Sequence, residues 1–253
     1  LEDGALALTA RRAARAREAL EAATDALLGD VVRDPRLTAA GVFPWQWSPG
    51  SLPDELAIRV LMRVLAVVGG SDAPPRLARV ERLLGEMGAE GFGGATLARC
   101  VIAPVRGTGA AAGEGPCFLI YREPDREALP DVQTDLREPE TWDNRFVIER
   151  SGGGEERVRL RSATRDDLAA AGFIDLRGRG PVQSLPADAL RATPVVETAD
   201  GQVVLLALAE MIELQEDGAV RTARGAGYQS AFLAARLIRD HRRGHGNQFL
   251  ADQ

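Results

Sequence analysis

The period of the apolar residues changes once along this chain, and that change restricts the folds open to it more than any motif does. Between residues 51 and 88 the apolar positions recur at helical spacing. From Thr96 onward they come as short runs divided by Gly, Pro and Asp, the pattern of strands and turns. A chain that is helical first and stranded second is expected to fold as α+β. The helical part begins earlier still: residues 9–28 are Ala-rich and of high helix propensity, with Thr9 placed to act as the N-cap. After a loop holding Pro35, Pro44, Trp45 and Trp47, a second helix is expected from Ser51, with Pro53 in its first turn and Asp54 completing a capping box. Leu56, Val60, Leu61, Val64, Leu65 and Val68 form its buried stripe, and Gly69-Gly70 ends it. A third helix, from Pro74 or Pro75 to about Gly88, places Leu77, Val80, Leu84 and Met87 inside and Arg76, Arg79 and Arg82 outside.

The stranded part opens with two apolar stretches, 96–105 and 117–122, joined by a Gly- and Ala-rich segment at 107–116. This spacing predicts a β-hairpin with a long loop. Three helices and this hairpin make an N-terminal helical domain, 1–123. Pro124, Pro130 and Pro139, interleaved with acidic residues, then predict an acidic, Pro-rich linker at 124–141. A smaller mixed α/β C-terminal domain follows at 142–212. It has a strand at 146–149, and in a second strand Arg157, Arg159 and Arg161 alternate with Val158 and Leu160. Thr164 and Asp167 open a short helix, Leu185-Pro186-Ala187-Asp188 begins a helical turn, and Asp200-Gly201 joins the last hairpin. The remaining 213–253 is a tail, with a helix predicted at 229–243. No internal repeat is present.

All 31 basic residues are Arg. Against 37 acidic residues they leave a net charge of -6 and a pI near 5.2. Without Lys the chain has no phosphate-loop lysine, Schiff-base lysine or lysine general base, which removes several enzyme classes. A net acidic chain contacts a polyanion only through a local Arg face. The most apolar stretch, 56–68, is interrupted by Arg59 and Arg63, so no membrane span is expected. The chain opens at Leu1 without Met and without a signal-like segment, which predicts a clipped, cytoplasmic polypeptide. Cys100 and Cys117 read as small core hydrophobes, a strand-bridging disulfide being the lesser alternative. With His241 and His245 they form no zinc spacing, and no structural metal is expected.

Motifs that assemble a reaction are missing. Ser151-Gly152-Gly153-Gly154-Glu155-Glu156 approaches the SGGxDS loop of ATP-pyrophosphatases. Its two carboxylates would repel pyrophosphate, however, and a strand pattern follows where a helix N-terminus is needed, so the segment reads as a hairpin turn. There is no GxSxG, HExxH or dinucleotide fingerprint. Asp166 and Asp167 read as helix N-terminal charges, and His241 as an exposed residue near the chain end.

The order of segments carries more information. Leu8-Thr9-Ala10-Arg11-Arg12-Ala13-Ala14-Arg15-Ala16-Arg17-Glu18-Ala19-Leu20 resembles the long helix that follows the catalytic domain in tRNA(Ile)-lysidine synthetases. Leu52-Pro53-Asp54-Glu55-Leu56-Ala57-Ile58-Arg59-Val60-Leu61, Pro74-Pro75-Arg76-Leu77, Thr96-Leu97-Ala98-Arg99-Cys100, Tyr121-Arg122-Glu123-Pro124, Trp142-Asp143-Asn144-Arg145-Phe146 and Leu185-Pro186 follow in the same order, over about residues 1–208.

The resemblance implies the C-terminal, tRNA-binding part of a ligase that converts the wobble cytidine of the isoleucine tRNA with anticodon CAU to lysidine. ATP, magnesium and L-lysine would be used by a PP-loop domain that this sequence lacks, so the chain itself takes no cofactor and is inactive alone. Its implied partners are that tRNA and the PP-loop domain. Arg11, Arg12 and Arg15 of the first helix, with Arg99, Arg122 and Arg145 of the matched segments, are the candidate phosphate ligands, since Arg forks suit phosphate. Arg122 and Arg145 are read equally as structural, paired with Glu123 or Asp143. The reading from a different class is a stand-alone RNA- or protein-interaction module. An enzyme using carboxylates of the C-terminal half has no support beyond the abundance of Asp and Glu.

Overall fold

The computed structural model describes residues 2–29, 31, 34–105, 116–150, 156–170, 185–207 and 228–232. The architecture is α+β, with antiparallel strand pairing throughout the described sheets. Helix α1 runs Glu2–Gly29, longer than its sequence suggested. Thr9 is not its cap but lies inside it, donating its hydroxyl back to the Ala5 carbonyl at 3.0 Å. A short helix α2 (Pro35–Ala40) and strand β1 (Phe43–Gln46) occupy what read as a loop. Pro44 is tolerated there because β1 is an edge strand. Trp45 and Trp47 are buried, with ring centroids 5.6 Å apart.

Helix α3 (Asp54–Val68) starts three residues later than expected, with Pro53 in the N-cap position and no side-chain cap. Ser51 instead donates its hydroxyl to the Ser48 carbonyl at 2.7 Å. The apolar stripe holds: Val60, Leu61, Val64, Leu65 and Val68 are buried. Helix α4 (Leu77–Met87) buries Val80, Leu84 and Met87 as expected, but Leu77, in its first turn, is 51% exposed.

The 96–105 stretch is two strands. β2 (Ala95–Leu97) and β3 (Cys100–Pro104) pair across Ala98 and Arg99, both at positive φ (50° and 64°). This two-residue turn lacks the Asn-Gly or Asp-Gly that marks such hairpins. β3 pairs with β4 (Cys117–Arg122) as predicted, giving a sheet ordered β1-β4-β3-β2. The loop expected at 107–116 falls, apart from Pro116, outside the described residues. Phe118 and Ile120 of β4 face the core under α3 and α4, while Leu119 and Tyr121 join a second cluster with Leu168, Leu185, Ala189 and Leu190. Both faces of β4 are therefore dry, which explains why it reads as an unbroken apolar run.

The 124–141 stretch does not serve as an unstructured linker. It contains β5 (Val132–Thr134) and β6 (Glu140–Trp142). β6 pairs with β7 (Phe146–Arg150) and β5 with β8 (Val158–Ser162). Leu136 and Trp142 are buried in the same cluster as Leu61 and Leu65, so a single core crosses the expected boundary. Proline spacing and acidity concealed this, because the strands involved are only three residues long. Helix α5 (Arg165–Ala170) and helix α6 (Ala187–Arg191) start where predicted. β9 (Pro194–Glu197) and β10 (Val203–Leu205) form the last hairpin, with Gly201 at φ 82° in its turn.

Two sheets complete the fold, β10-β9-β8-β5 and a three-stranded β11-β7-β6, where β11 is Tyr228–Phe232. β11 overturns the start of the helix expected over 229–243, and residues 233–253 lie outside the described set. The Gly-rich turn at 151–155 also lies outside it. Its flanking strands β7 and β8 belong to different sheets, so the segment does not join a hairpin. Trp142, 1% exposed, donates its indole N–H to the Pro130 carbonyl at 3.1 Å, tying the middle of the 124–141 stretch to the buried end of β6. Trp142→Ala should therefore lower unfolding free energy by about 3–5 kcal/mol in urea denaturation, the cost of an aromatic core truncation. A loss below about 1 kcal/mol would mean that the stretch is a linker after all.

Candidate functional site

The six candidate arginines separate into three environments. Arg122 and Arg145 are 2% and 1% exposed. Asp143 lies between them, its Oδ2 accepting from Arg145 Nε at 2.7 Å and from Arg122 Nε at 3.2 Å. Arg122 also donates to the carbonyls of Glu123 (3.0 Å) and Arg99 (3.5 Å), and Arg145 to that of Ala192. The Arg145 guanidinium sits 5.1 Å from the Phe146 ring centroid and 5.7 Å from that of Trp142. Phosphate cannot reach either group. Their assignment as RNA ligands is corrected to a structural one, and the carboxylate partner is Asp143.

Several chain reversals converge on this knot. Asp143 and Asn144 turn at positive φ (50° and 52°) between β6 and β7, and the Ala98–Arg99 turn delivers the carbonyl that Arg122 holds. Gly69 and Gly70 close α3 against both turns. A Cβ on Gly69 would lie 2.3 Å from the Ala98 carbonyl oxygen, and one on Gly70 2.3 Å from that of Asp143. The glycines that read as a helix stop are therefore also a close-packing requirement. Burial draws the Arg145 pKa down to about 10, against the pull of Asp143, so Arg145 stays charged at neutral pH. Burial also pushes the Cys100 thiol up to about 12, outweighing Arg145 and Arg122. A thiol so placed is inert. Cys100 and Cys117 are both free, near opposite ends of the β3–β4 pair, and make no disulfide.

Arg99 is intermediate. Its side chain is 40% exposed and bridges to Glu127 at 2.8 Å. The strand arginines are similarly engaged. Arg159 forks Asp131 with two contacts of 2.7 Å, and Arg161 contacts Glu197 at 2.6 Å and Asp167 at 2.7 Å. Asp167 also accepts from the Thr164 amide and hydroxyl at 2.7 Å, the capping box that the sequence announced.

Arg11, Arg12 and Arg15 are different. All three are exposed and, among the described residues, have no carboxylate partner. At about 100° per residue they share one sector of α1, roughly opposite the side bearing Glu21, Thr24 and Leu28. That second side packs on α3. Glu21 meets Arg59 at 2.5 Å and also Arg63, and Asp25 meets Arg63. The pairs Glu21–Arg59 and Asp25–Arg63 have the same offset of 38 residues, so the two helices run parallel and α3 begins level with Ala16. The part of α1 before Ala16, which begins at Glu2, overhangs the start of α3 by about 21 Å at 1.5 Å per residue. Leu6 and Leu8 on it are 73% and 43% exposed.

Among the described residues no helix is long and apolar enough to cross a membrane, and no group of three His, Cys, Asp or Glu is placed to hold a metal ion. Comparison of the chain with family models, with curated proteins and with solved structures found no match in any of the three.

Two outcomes follow. Asp143→Ala leaves two buried guanidiniums without a counter-charge and should cost about 3–5 kcal/mol in urea denaturation. The triple change Asp143→Leu, Arg122→Met, Arg145→Met should cost less than the single one; the reverse order would show that the knot does not act as a unit. For Asp167, burial opposes ionisation, but hydrogen bonds from Arg161 and Thr164 prevail and hold the carboxyl down at about 2. A depressed folded-state pKa adds stability above the unfolded value near 4, and that stability is lost as pH falls through about 2. The melting-temperature gap between wild type and Asp167→Asn should accordingly be widest above pH 4 and narrow below it.

Proposed function

We propose that this chain is the RNA-docking portion of an enzyme of the tRNA(Ile)-lysidine synthetase kind. In this reading it holds the body of the isoleucine tRNA with anticodon CAU while a PP-loop domain carries out the ATP-dependent ligation with lysine. The supporting observation is the overhang of α1, where Arg11, Arg12 and Arg15 stand exposed and, among the described residues, without carboxylate partners on a chain of net charge -6. Guanidiniums in that setting suit phosphate oxygens, which fix register and orientation and not base identity. The overhang has no aromatic residue, Asn or Gln with which to read bases. Arg99 is a secondary contact that must first leave Glu127. ATP, magnesium and L-lysine have no assigned site in this chain, and cytoplasmic residence accompanies the reading.

A second reading, a protein-interaction module without catalytic activity, draws on Leu6 and Leu8, which stand exposed on the same overhang. Filter retention of the CAU-anticodon isoleucine tRNA and of an elongator methionine tRNA, at two salt concentrations, separates the two. Docking through phosphates predicts salt-sensitive retention that Arg11→Ala and Arg15→Ala weaken, each variant flattening the salt slope by about one. Retention of neither RNA would remove the first reading and leave the second.

A further inference from the structure

The seam between α1 and α3 has an unusual composition for a buried helix contact. Positions 21, 24, 25 and 28 follow the i, i+3, i+4, i+7 spacing of a packing stripe, and Leu28 alone of the four is apolar. Glu21 is 6% exposed and Thr24 fully buried, and the Asp25 side chain is 11% exposed. Opposite them α3 presents Arg59 and Arg63, their side chains 24% and 13% exposed. Thr24 turns its hydroxyl inward to the Leu20 carbonyl of its own helix at 2.7 Å, so that hydroxyl makes no bond across the seam. Leu28 is the one fully buried large apolar side chain described in this 28-residue helix, with Leu20 half-buried, so charge carries much of the seam.

The charge pattern fixes the register. Sliding α1 by one turn in one direction sets Glu21 level with Glu55. Sliding it in the other sets Arg17 level with Arg59. Each slip keeps one opposite pair level, Asp25 with Arg59 or Glu21 with Arg63, but brings one like pair together and gives up the second ion pair. Separation is opposed differently. With Leu28 the one fully buried leucine that α1 brings to the core, and with guanidinium and carboxylate groups regaining water as they part, opening costs less than it would for a seam of leucines.

We propose that α1 is a releasable arm. It is latched to α3 by Glu21, Asp25, Arg59 and Arg63 in a single register, and it opens as a unit while the core built on α3, α4 and the β1-β4-β3-β2 sheet stays folded. Release turns the Arg11, Arg12 and Arg15 sector away from the body or back to it, so the latch sets where that sector points. The inference rests on the seam and stands whether or not the sector binds RNA.

Thiol labelling tests it on the full chain with Cys100→Ala and Cys117→Ala as background. Thr24→Cys reports opening of the seam, and Ile102→Cys, fully buried in β3, reports opening of the core. The expected result is labelling of the residue-24 thiol at least tenfold faster than the residue-102 thiol. Arg63→Met should speed the first by a further tenfold and leave the second unchanged. Equal labelling rates at the two positions in the parent background would overturn the proposal without recourse to any latch variant. So would an equal acceleration of both by Arg63→Met.

Discussion

One carboxylate, that of Asp143, allows the two halves of the chain to share a core. Two guanidiniums cannot be buried side by side without a counter-charge, because the desolvation cost and their mutual repulsion add. With Asp143 accepting from both, Arg122 at the end of β4 and Arg145 at the start of β7 become a bracket between the first sheet and the third. The remaining donors go to carbonyls of the Ala98–Arg99 turn, of Glu123 and of the residue following α6. Each of these carbonyls belongs to a different piece of chain, so the knot positions those pieces relative to one another. The positive φ values at Ala98, Arg99, Asp143 and Asn144 cost on the order of 1–3 kcal/mol each, and they persist where such bonds overdetermine the backbone.

The same residue type does opposite work at the other end of the molecule. Arg59 and Arg63 are paired but partly wet, and they secure a helix that has little apolar surface to bury. Arg11, Arg12 and Arg15 are exposed and, among the described residues, have no carboxylate partner, so their field is available to an anion. A chain whose basic residues are all arginine thus uses one chemical group for core bracketing, helix seating and an exposed cationic face. Solvent access alone separates the three uses.

Short-range features were legible in the residues. The Thr164–Asp167 capping box, the Asp200-Gly201 hairpin, the buried stripe of α3 and the alternation of Val158 and Leu160 with arginines each depend on neighbours within a few positions, and each is where its pattern placed it. Features that depend on remote partners were not. The strands in 124–141 are too short to show a period, and they exist because β7 and β8 offer edges to them. The Ala98–Arg99 turn carries none of the usual turn residues, and bonds from Arg122 and from the Glu123 amide to the Arg99 carbonyl hold it in place. For the candidate interface, the spacing of Arg11 and Arg15 on one helix face was visible, but the overhang beyond α3 was not.

By itself, then, the sequence determined the α+β class, the helices and hairpins with local signatures, and the absence of lysine chemistry. These follow from period, capping and composition, which act over a few residues at a time. The tertiary structure alone decided which arginines meet solvent. Arg122, Arg145 and Arg15 look alike in the chain, and their difference arises only when residues 20 or more positions away arrive to exclude water from two of them and leave the third in it. Burial is a property of the assembled core, and the free energy of a charge depends on burial more than on anything its immediate neighbours supply.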